Sequence, residues 1–314
     1  LGERFPYRSI VAMGEESGFY YNWNSQGKGP KITTYGNPNA TWEEAKKLDV
    51  GLELGLFNAL NIEAAYFTED RTGIFMRRTS LPSSTGLLGV TPYGNIGRVK
   101  SHGVDLSAVY NKQFNKDWSL SLRGTFTFSR NEVVEKDEGD LMYDYMSVVG
   151  HPVNAITGVL VADGLFTSQE EIDNSPKQQF GNYTVGDIKY RDLNGDGIVD
   201  GNDVTTAGSP TVPEIQYGIG ATVKWRRLDF SFMFQGASNV SLRMYNMHPF
   251  CDASHFGYGI TQYIADNHWS EDNNRADAAY PRLTSQLSSN NTQSSTFYIH
   301  DAKYLRLKTV ELGY

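Results

Sequence analysis

Apolar and polar side chains alternate with a period of two over several separate runs, and no other feature of the chain restricts its fold as much. From Trp118 to Ser129 the even positions hold Trp118, Leu120, Leu122, Gly124, Phe126 and Phe128, and the odd ones hold Ser, Thr or Arg. Val104, Leu106, Ala108 and Tyr110 alternate against Asp105, Ser107 and Asn111, and a tight turn at Asn115, Lys116 and Asp117 joins the two runs into a hairpin. The unit recurs: Val50, Leu52, Leu54 and Leu56 turn at Asn58 and Ala59 into Leu60, Ile62, Ala64 and Tyr66. Tyr217, Ile219, Ala221 and Val223 turn at Trp225 to Arg227 into Leu228, Phe230, Phe232 and Phe234. A last run, Tyr304 to Gly313, is blurred by Val310, which predicts a bulge.

Connections separate the two all-β architectures that share this alternation. Within hairpins they are a few residues; between hairpins they run from about Arg78 to His102, Arg130 to Glu214 and Ser238 to Ala302. Compact soluble domains favour connections of about 4–6 residues. A transmembrane barrel instead expects short turns at one rim and long outer loops at the other. Strands of roughly 11 residues, rising about 3.3 Å each and tilted by about 40°, span roughly 28 Å, close to the ~25 Å apolar band of an outer-membrane barrel. Phe57, Phe114, Trp118 and Trp225 fall beside the short turns, as an aromatic girdle requires. The alternative is a secreted, calcium-stabilised β-sandwich that binds carbohydrate, in which the apolar faces meet each other. The residues favour the antiparallel transmembrane β-barrel, present as a partial wall.

Composition removes other classes. There are 28 Lys plus Arg against 36 Asp plus Glu, a net charge of -8, so no nucleic-acid partner is expected. Cys251 is the single cysteine, which excludes an internal disulfide and a cysteine-based zinc cluster. No apolar run reaches the roughly 18 residues of a spanning helix. The chain starts at Leu1 with no signal region and ends on a strand, and it reads as an internal or C-proximal piece of a longer protein.

Asp192 to Asp203 has the spacing of a twelve-residue calcium loop. Asp192, Asn194 and Asp196 stand at positions 1, 3 and 5, Gly197 at the sharp turn, Ile198 at the carbonyl position, and Asp200 and Asp203 at 9 and 12. Aspartate replaces the usual glutamate at position 12, and no helical pattern flanks the loop. A structural Ca²⁺ pinning an outer loop is the expected role; a Gly/Asp/Asn-rich turn cluster that binds nothing is the other reading. The six histidines show no zinc spacing, no Gly-x-Ser-x-Gly elbow or Walker-type loop occurs, and acidic pairs such as Glu170-Glu171 are solvated neighbours. No catalytic residue is assigned, and the chain is not expected to be an enzyme. Aromatics interleaved with Asn, Asp and Ser suggest stacking platforms for a sugar: Tyr20, Tyr21 and Trp23, then Tyr143 and Tyr145, then Phe256, Tyr258 and Trp269. Loop aromatics also pack loops onto each other.

Several segments together resemble the SusC/RagA family of TonB-dependent outer-membrane transporters. They are Asn37-Pro38-Asn39-Ala40-Thr41-Trp42-Glu43, Gly97-Arg98-Val99-Lys100-Ser101-His102-Gly103-Val104-Asp105, Gly150-His151-Pro152-Val153 and Asp163-Gly164-Leu165-Phe166. Most specific is Gly186-Asp187-Ile188-Lys189-Tyr190 leading into Asp192-Leu193-Asn194-Gly195-Asp196-Gly197; Phe234-Gln235-Gly236 and Tyr304-Leu305-Arg306-Leu307-Lys308 also fit. The resemblance implies a plugged barrel of about 22 strands in the Gram-negative outer membrane. It implies import of oligosaccharides or peptides, a SusD-like surface lipoprotein over the mouth, and energy from the TonB complex acting on an N-terminal segment. Residues 1–314 would then be part of the barrel domain, in contact with membrane lipid, with a calcium-loop insertion around 186–210. The plug and the last strands would lie outside this sequence.

Overall fold

The computed structural model describes residues 5–21, 25–85, 90, 92–244, 260–284 and 287–314. Strands β1 (Ile10–Tyr21) and β2 (Ser25–Thr34) form a hairpin, followed by β3 (Glu44–Leu56), β4 (Leu60–Arg77), β5 (Tyr93–Gln113) and β6 (Trp118–Glu135). The next connection carries β7 (Ile156–Leu160), β8 (Ala162–Leu165), α1 (Gln169–Asp173), β9 (Lys177–Gln178), β10 (Ile188–Tyr190), β11 (Ile198–Val199) and β12 (Val204–Ala207). Long strands β13 (Ile215–Trp225) and β14 (Leu228–Ser238) follow, then β15 (Ser241–Arg243), α2 (Gln262–Asn267), β16 (Ile299–Asp301) and finally β17 (Tyr304–Gly313).

The long strands from β3 onward make one antiparallel wall in the order β17-β14-β13-β6-β5-β4-β3. Its register places like with like. Leu54, Ile62, Ala108, Gly124, Ile219, Phe234 and Leu307 form one row across all these strands, and Glu53, Glu63, Ser107, Thr125, Gly218, Gln235 and Arg306 form the next. Because side-chain direction alternates, one face is therefore apolar and the other polar. On β17 the register shifts between its pairings with Met233 and Phe234, leaving Lys308 as the extra residue. That bulge returns Val310 and Leu312 to the apolar face, as the blurred alternation predicts.

The apolar face is bare. Leu52 is 56% exposed, Ile219 59% and Leu312 77%. This overturns the sandwich alternative, which needs a second sheet pressed on those side chains; among the described residues none covers them. The short turns make a tidy rim. Phe57 and Asn58 both have positive φ, the left-handed pair a tight hairpin turn demands, and Ala59 N–H closes the turn on Leu56 O at 3.0 Å. The Asn115 side chain accepts from Asp117 N and Trp118 N, and Trp118 stacks on Trp225, its register partner, at 5.7 Å.

Two expectations need correction. Strands β4, β5 and β6 continue beyond the apolar band, so the connection expected from about Arg78 to His102 contracts to residues 78–92. Polar side chains on both faces there, such as Lys100, Ser101 and His102, hide the alternation although the ladder continues. Tyr20 and Tyr21 are not on a long loop either: they end β1, paired with Gln26 and Ser25. Register shifts between Ala12 and Glu15 and between Glu16 and Phe19 break the period-two signal that would have revealed this strand.

Candidate functional site

The chain's dry core lies outside the wall, in the two longest outer connections. Leu160, Leu165, Ile188, Tyr190 and Val199 come from the β6–β13 connection and pack with Trp269, Ala278 and Tyr298 from the β14–β17 connection. The two connections share backbone bonds: Leu160 N to Ser294 O at 2.9 Å, Leu165 N to Ala276 O at 2.9 Å and Arg282 N to Gly186 O at 2.9 Å. They form one module, larger than the insertion expected around 186–210.

Close approach fixes two glycines of this module. Gly186 has φ +87° and a Cβ there would lie 2.3 Å from the Trp269 ring; Gly164, at φ +100°, would meet Ala276 O at 2.6 Å. Polar groups then lock the joint. Asp187 is fully buried and accepts from Arg282 Nε at 2.7 Å, Arg282 Nη2 at 3.2 Å, Asn291 Nδ2 at 2.7 Å and Thr184 N at 2.8 Å. Gln178 donates to Ile188 O and Asn290 Oδ1 and accepts from Tyr190 N. Asp187 and Gln178 thus have the partners that their burial requires. At the base, Arg130 donates through Nε and Nη2 to the buried Glu214 carboxylate at 2.9 and 2.7 Å, fastening the module to β6. Glu171 sits below its ordinary carboxylate range: burial pushes it up, but bonds from Thr167 and the Lys189 ammonium outweigh that.

The calcium-type loop is folded into this module. Asp192 accepts from Gly195 N and Gly197 N, Asn194 Oδ1 from Asp196 N, Asp196 Oδ1 from Ile198 N, and Asp200 Oδ1 from Asn202 N. Asp203 is buried and holds Leu193 N, Asn194 N and Asp200 N, so it cross-links the two ends of the loop. Ile198 and Val199 pair in parallel with Lys177 and Gln178, and Val199 enters the core. The donor set is all oxygen, which suits a hard cation, but among the described residues no three His, Cys, Asp or Glu side chains converge on one point.

Of the aromatics read as sugar platforms, Trp269 is buried and belongs to the core, with its Nε1 donating to Asn274 Oδ1. Tyr143 and Tyr145 stack at 5.2 Å and 7°, and Tyr145 Oη donates to Asn202 O beside the calcium-type loop. Burial and the nearby carboxylates, Asp203 foremost, push the Tyr145 phenol above its ordinary range. Trp23, Phe256 and Tyr258 lie outside the described residues. Residue spacing assigned no site role to Asp187, Gln178, Asn290 or Asn291.

A family model described as TonB dependent receptor-like, beta-barrel matches residues 4–246. The chain belongs to this family. TonB-dependent receptor P26 of Formosa agariphila is 31% identical over 296 residues, covering 88% of this chain and 28% of that protein. TonB-dependent receptor SusC of Bacteroides thetaiotaomicron is 22% identical over 327 residues, covering 100% of this chain and 30% of its own length. The solved structure of the RagAB peptide transporter aligns over 98% of this chain and 31% of its own, with 21% identity and a TM-score of 0.68, and so shares the fold. The chain spans under a third of the relatives it matches. Barrels of this family are Gram-negative outer-membrane proteins, which gives the bare apolar face its solvent: lipid.

Proposed function

We propose that this chain supplies the wall and outer-loop module of a TonB-dependent importer that takes up oligosaccharides together with a SusD-like surface lipoprotein. The observation that carries the reading is the pairing of a two-solvent wall with a locked module on its long-loop rim. A rigid module can hold cargo at the mouth while the polar inner face, with Ser121, Arg123, Thr125 and Thr127, lines a hydrated passage. No bond in the cargo is made or broken. Peptide cargo is the second reading, favoured by the likeness to a peptide transporter. Cells carrying the intact protein should accumulate labelled oligosaccharide only when the TonB complex is active; equal accumulation without it would refute active import.

The reading includes a structural Ca²⁺ held by Asp192, Asn194, Asp196, Asp200 and the Ile198 carbonyl, with Asp203 bracing the loop from inside. Gathering these oxygens around one cation would relieve their mutual repulsion and stiffen the segment that bonds Tyr145. At free calcium about tenfold over Kd, the stabilisation is about 1.4 kcal/mol. Chelation should therefore raise the cleavage rate of the outer module by about tenfold in the intact protein, and Ca²⁺ but not Mg²⁺ should restore protection. Identical rates with and without chelator would show the loop to be a turn cluster only.

A further inference from the structure

Asn194-Gly195 is the single Asn-Gly pair in the sequence, and it lies in the loop between Asp192 and Asp203. Gly195 is exposed and Asn194 half-buried, so water reaches the pair. Asparagine before glycine is prone to react with its own backbone, because the glycine nitrogen has no Cβ beside it to hinder attack on the side-chain carbonyl carbon. That attack has two requirements. The nitrogen must shed its proton, and the asparagine side chain must swing back until the reacting atoms are about 3–3.5 Å apart and aligned.

The fold withholds both. Gly195 N donates to Asp192 Oδ1 at 2.6 Å, a charge-assisted bond that keeps the amide proton in place. The Asn194 side chain is turned forward, away from Gly195: Oδ1 accepts from Asp196 N at 2.9 Å, and Nδ2 donates to Asp196 Oδ2 at 3.0 Å. The backbone on either side is clamped as well, Asn194 N by the buried Asp203 at 3.3 Å and Gly197 N by Asp192 at 2.8 Å.

We propose that Asn194 is a spontaneous modification site kept shut by Asp192 and Asp196, so that its conversion to aspartate or isoaspartate marks chains whose loop has opened. Once these bonds break, Gly195 N bonds to Asn194 Cγ, its proton leaves with the side-chain amino group as ammonia, and a succinimide ring closes. One water then cleaves either C–N bond of the ring. Cleavage at Cγ gives aspartate; cleavage at the backbone carbonyl gives isoaspartate, with the main chain rerouted through the side chain. No oxidant or reductant takes part. Neither product fits the closed loop. Aspartate replaces the Nδ2 donor with a carboxylate that faces the Asp196 carboxylate. Isoaspartate adds a methylene to the backbone between the groups that Asp203 and Asp192 clamp. A passing opening thereby becomes permanent, and Tyr145, whose Oη donates to Asn202 O in the same loop, loses a fixed partner.

The test incubates the intact protein in detergent micelles with a chelator present, so that the hydrogen bonds alone act as the guard. Peptides containing Asn194 are followed by the mass gain of amide-to-acid conversion, and isoaspartate by enzymatic methylation. The same protein unfolded in guanidinium is the reference. Folded wild type should convert at least about tenfold more slowly than the unfolded chain, the equivalent of about 1.4 kcal/mol. Asp192→Ala should convert about tenfold faster than folded wild type, and Asp192→Asn, which can still accept from Gly195 N without the charge, should fall between them. Gly195→Ala should suppress conversion even in the unfolded chain. Its Cβ meets no neighbour, but at φ +75° it strains the loop, so a loosened loop that does not react separates the chemistry from simple disorder. Heat-resistant migration on gels verifies that each variant is a folded barrel. Equal rates in folded and unfolded wild type, or an Asp192→Ala rate no faster than wild type, would remove the guard. An Asn194 that stays intact in the unfolded chain, or a Gly195→Ala rate matching unfolded wild type, would remove the site.

Discussion

Substituting alanine for Asp187 is expected to unfasten the outer module while leaving the wall folded. The carboxylate is fully buried and receives hydrogen bonds from both sides of the joint: Thr184 in its own connection, Arg282 and Asn291 in the other. Removing it strands the Arg282 guanidinium, which is about two-thirds buried, and a buried amide. Breaking a buried pair from one side costs about 3–5 kcal/mol. That is enough to raise the open population of the module more than a hundredfold. Limited proteolysis of intact cells should then cut residues 150–210 and 260–303 rapidly, while the barrel keeps its heat-resistant migration. Asp187→Asn should fail as well, because an amide cannot neutralise Arg282 and turns a donor toward Asn291 or Arg282. Arg282→Leu combined with Asp187→Leu should be milder than Asp187→Ala alone, since no uncompensated charge remains. Proteolysis of Asp187→Ala at the wild-type rate would mean that the two loops are held by apolar packing without the lock.

The wall was legible in the sequence and the lock was not, for a physical reason. A strand with lipid on one side and water on the other repeats the same choice every second residue, so Trp118 to Ser129 carries its own assignment. The module has no such repetition. Its core is assembled from isolated residues such as Leu160, Val199 and Trp269, and its lock joins Asp187 to Asn291 and Gln178 to Asn290 across a long stretch of chain. Trp269 illustrates the ambiguity: a tryptophan among Asn and Asp reads as a binding platform until Gly186 is seen packed on its face. The one available signal was Gly186-Asp187 itself, a Gly-Asp pair just before an apolar strand. It lies inside the segment that resembles the SusC/RagA family most specifically. The calcium-type spacing was visible because its residues are local in the sequence, whereas the inward role of Asp203 depends on burial, which spacing does not encode.

The largest effect on the wall should come from Ile219→Lys. Ile219 stands near the middle of β13, flanked in register by Gly124 on β6 and Phe234 on β14, and its side chain is 59% exposed on the apolar face. A lysine at that depth of the membrane costs about 2–4 kcal/mol. Gly124 and its wall row supply no carboxylate, and from mid-strand the ammonium must reach far to find headgroups. Folding into lipid vesicles should weaken by about 30-fold to 1,000-fold, read as the heat-resistant fraction across a denaturant series. Thr222→Lys is the matched control: Thr222 is three residues away on the same strand, but it faces inward between Ser121 and Ser231 and meets water. It should change stability by no more than about 0.5 kcal/mol, as an ordinary solvated position does. The pair decides which face the lipid wets, because the two lysines share a strand and point to opposite faces of the wall. Equal tolerance of both would leave the apolar rows without a membrane role, and the reverse order, with Thr222→Lys the damaging one, would turn the barrel inside out.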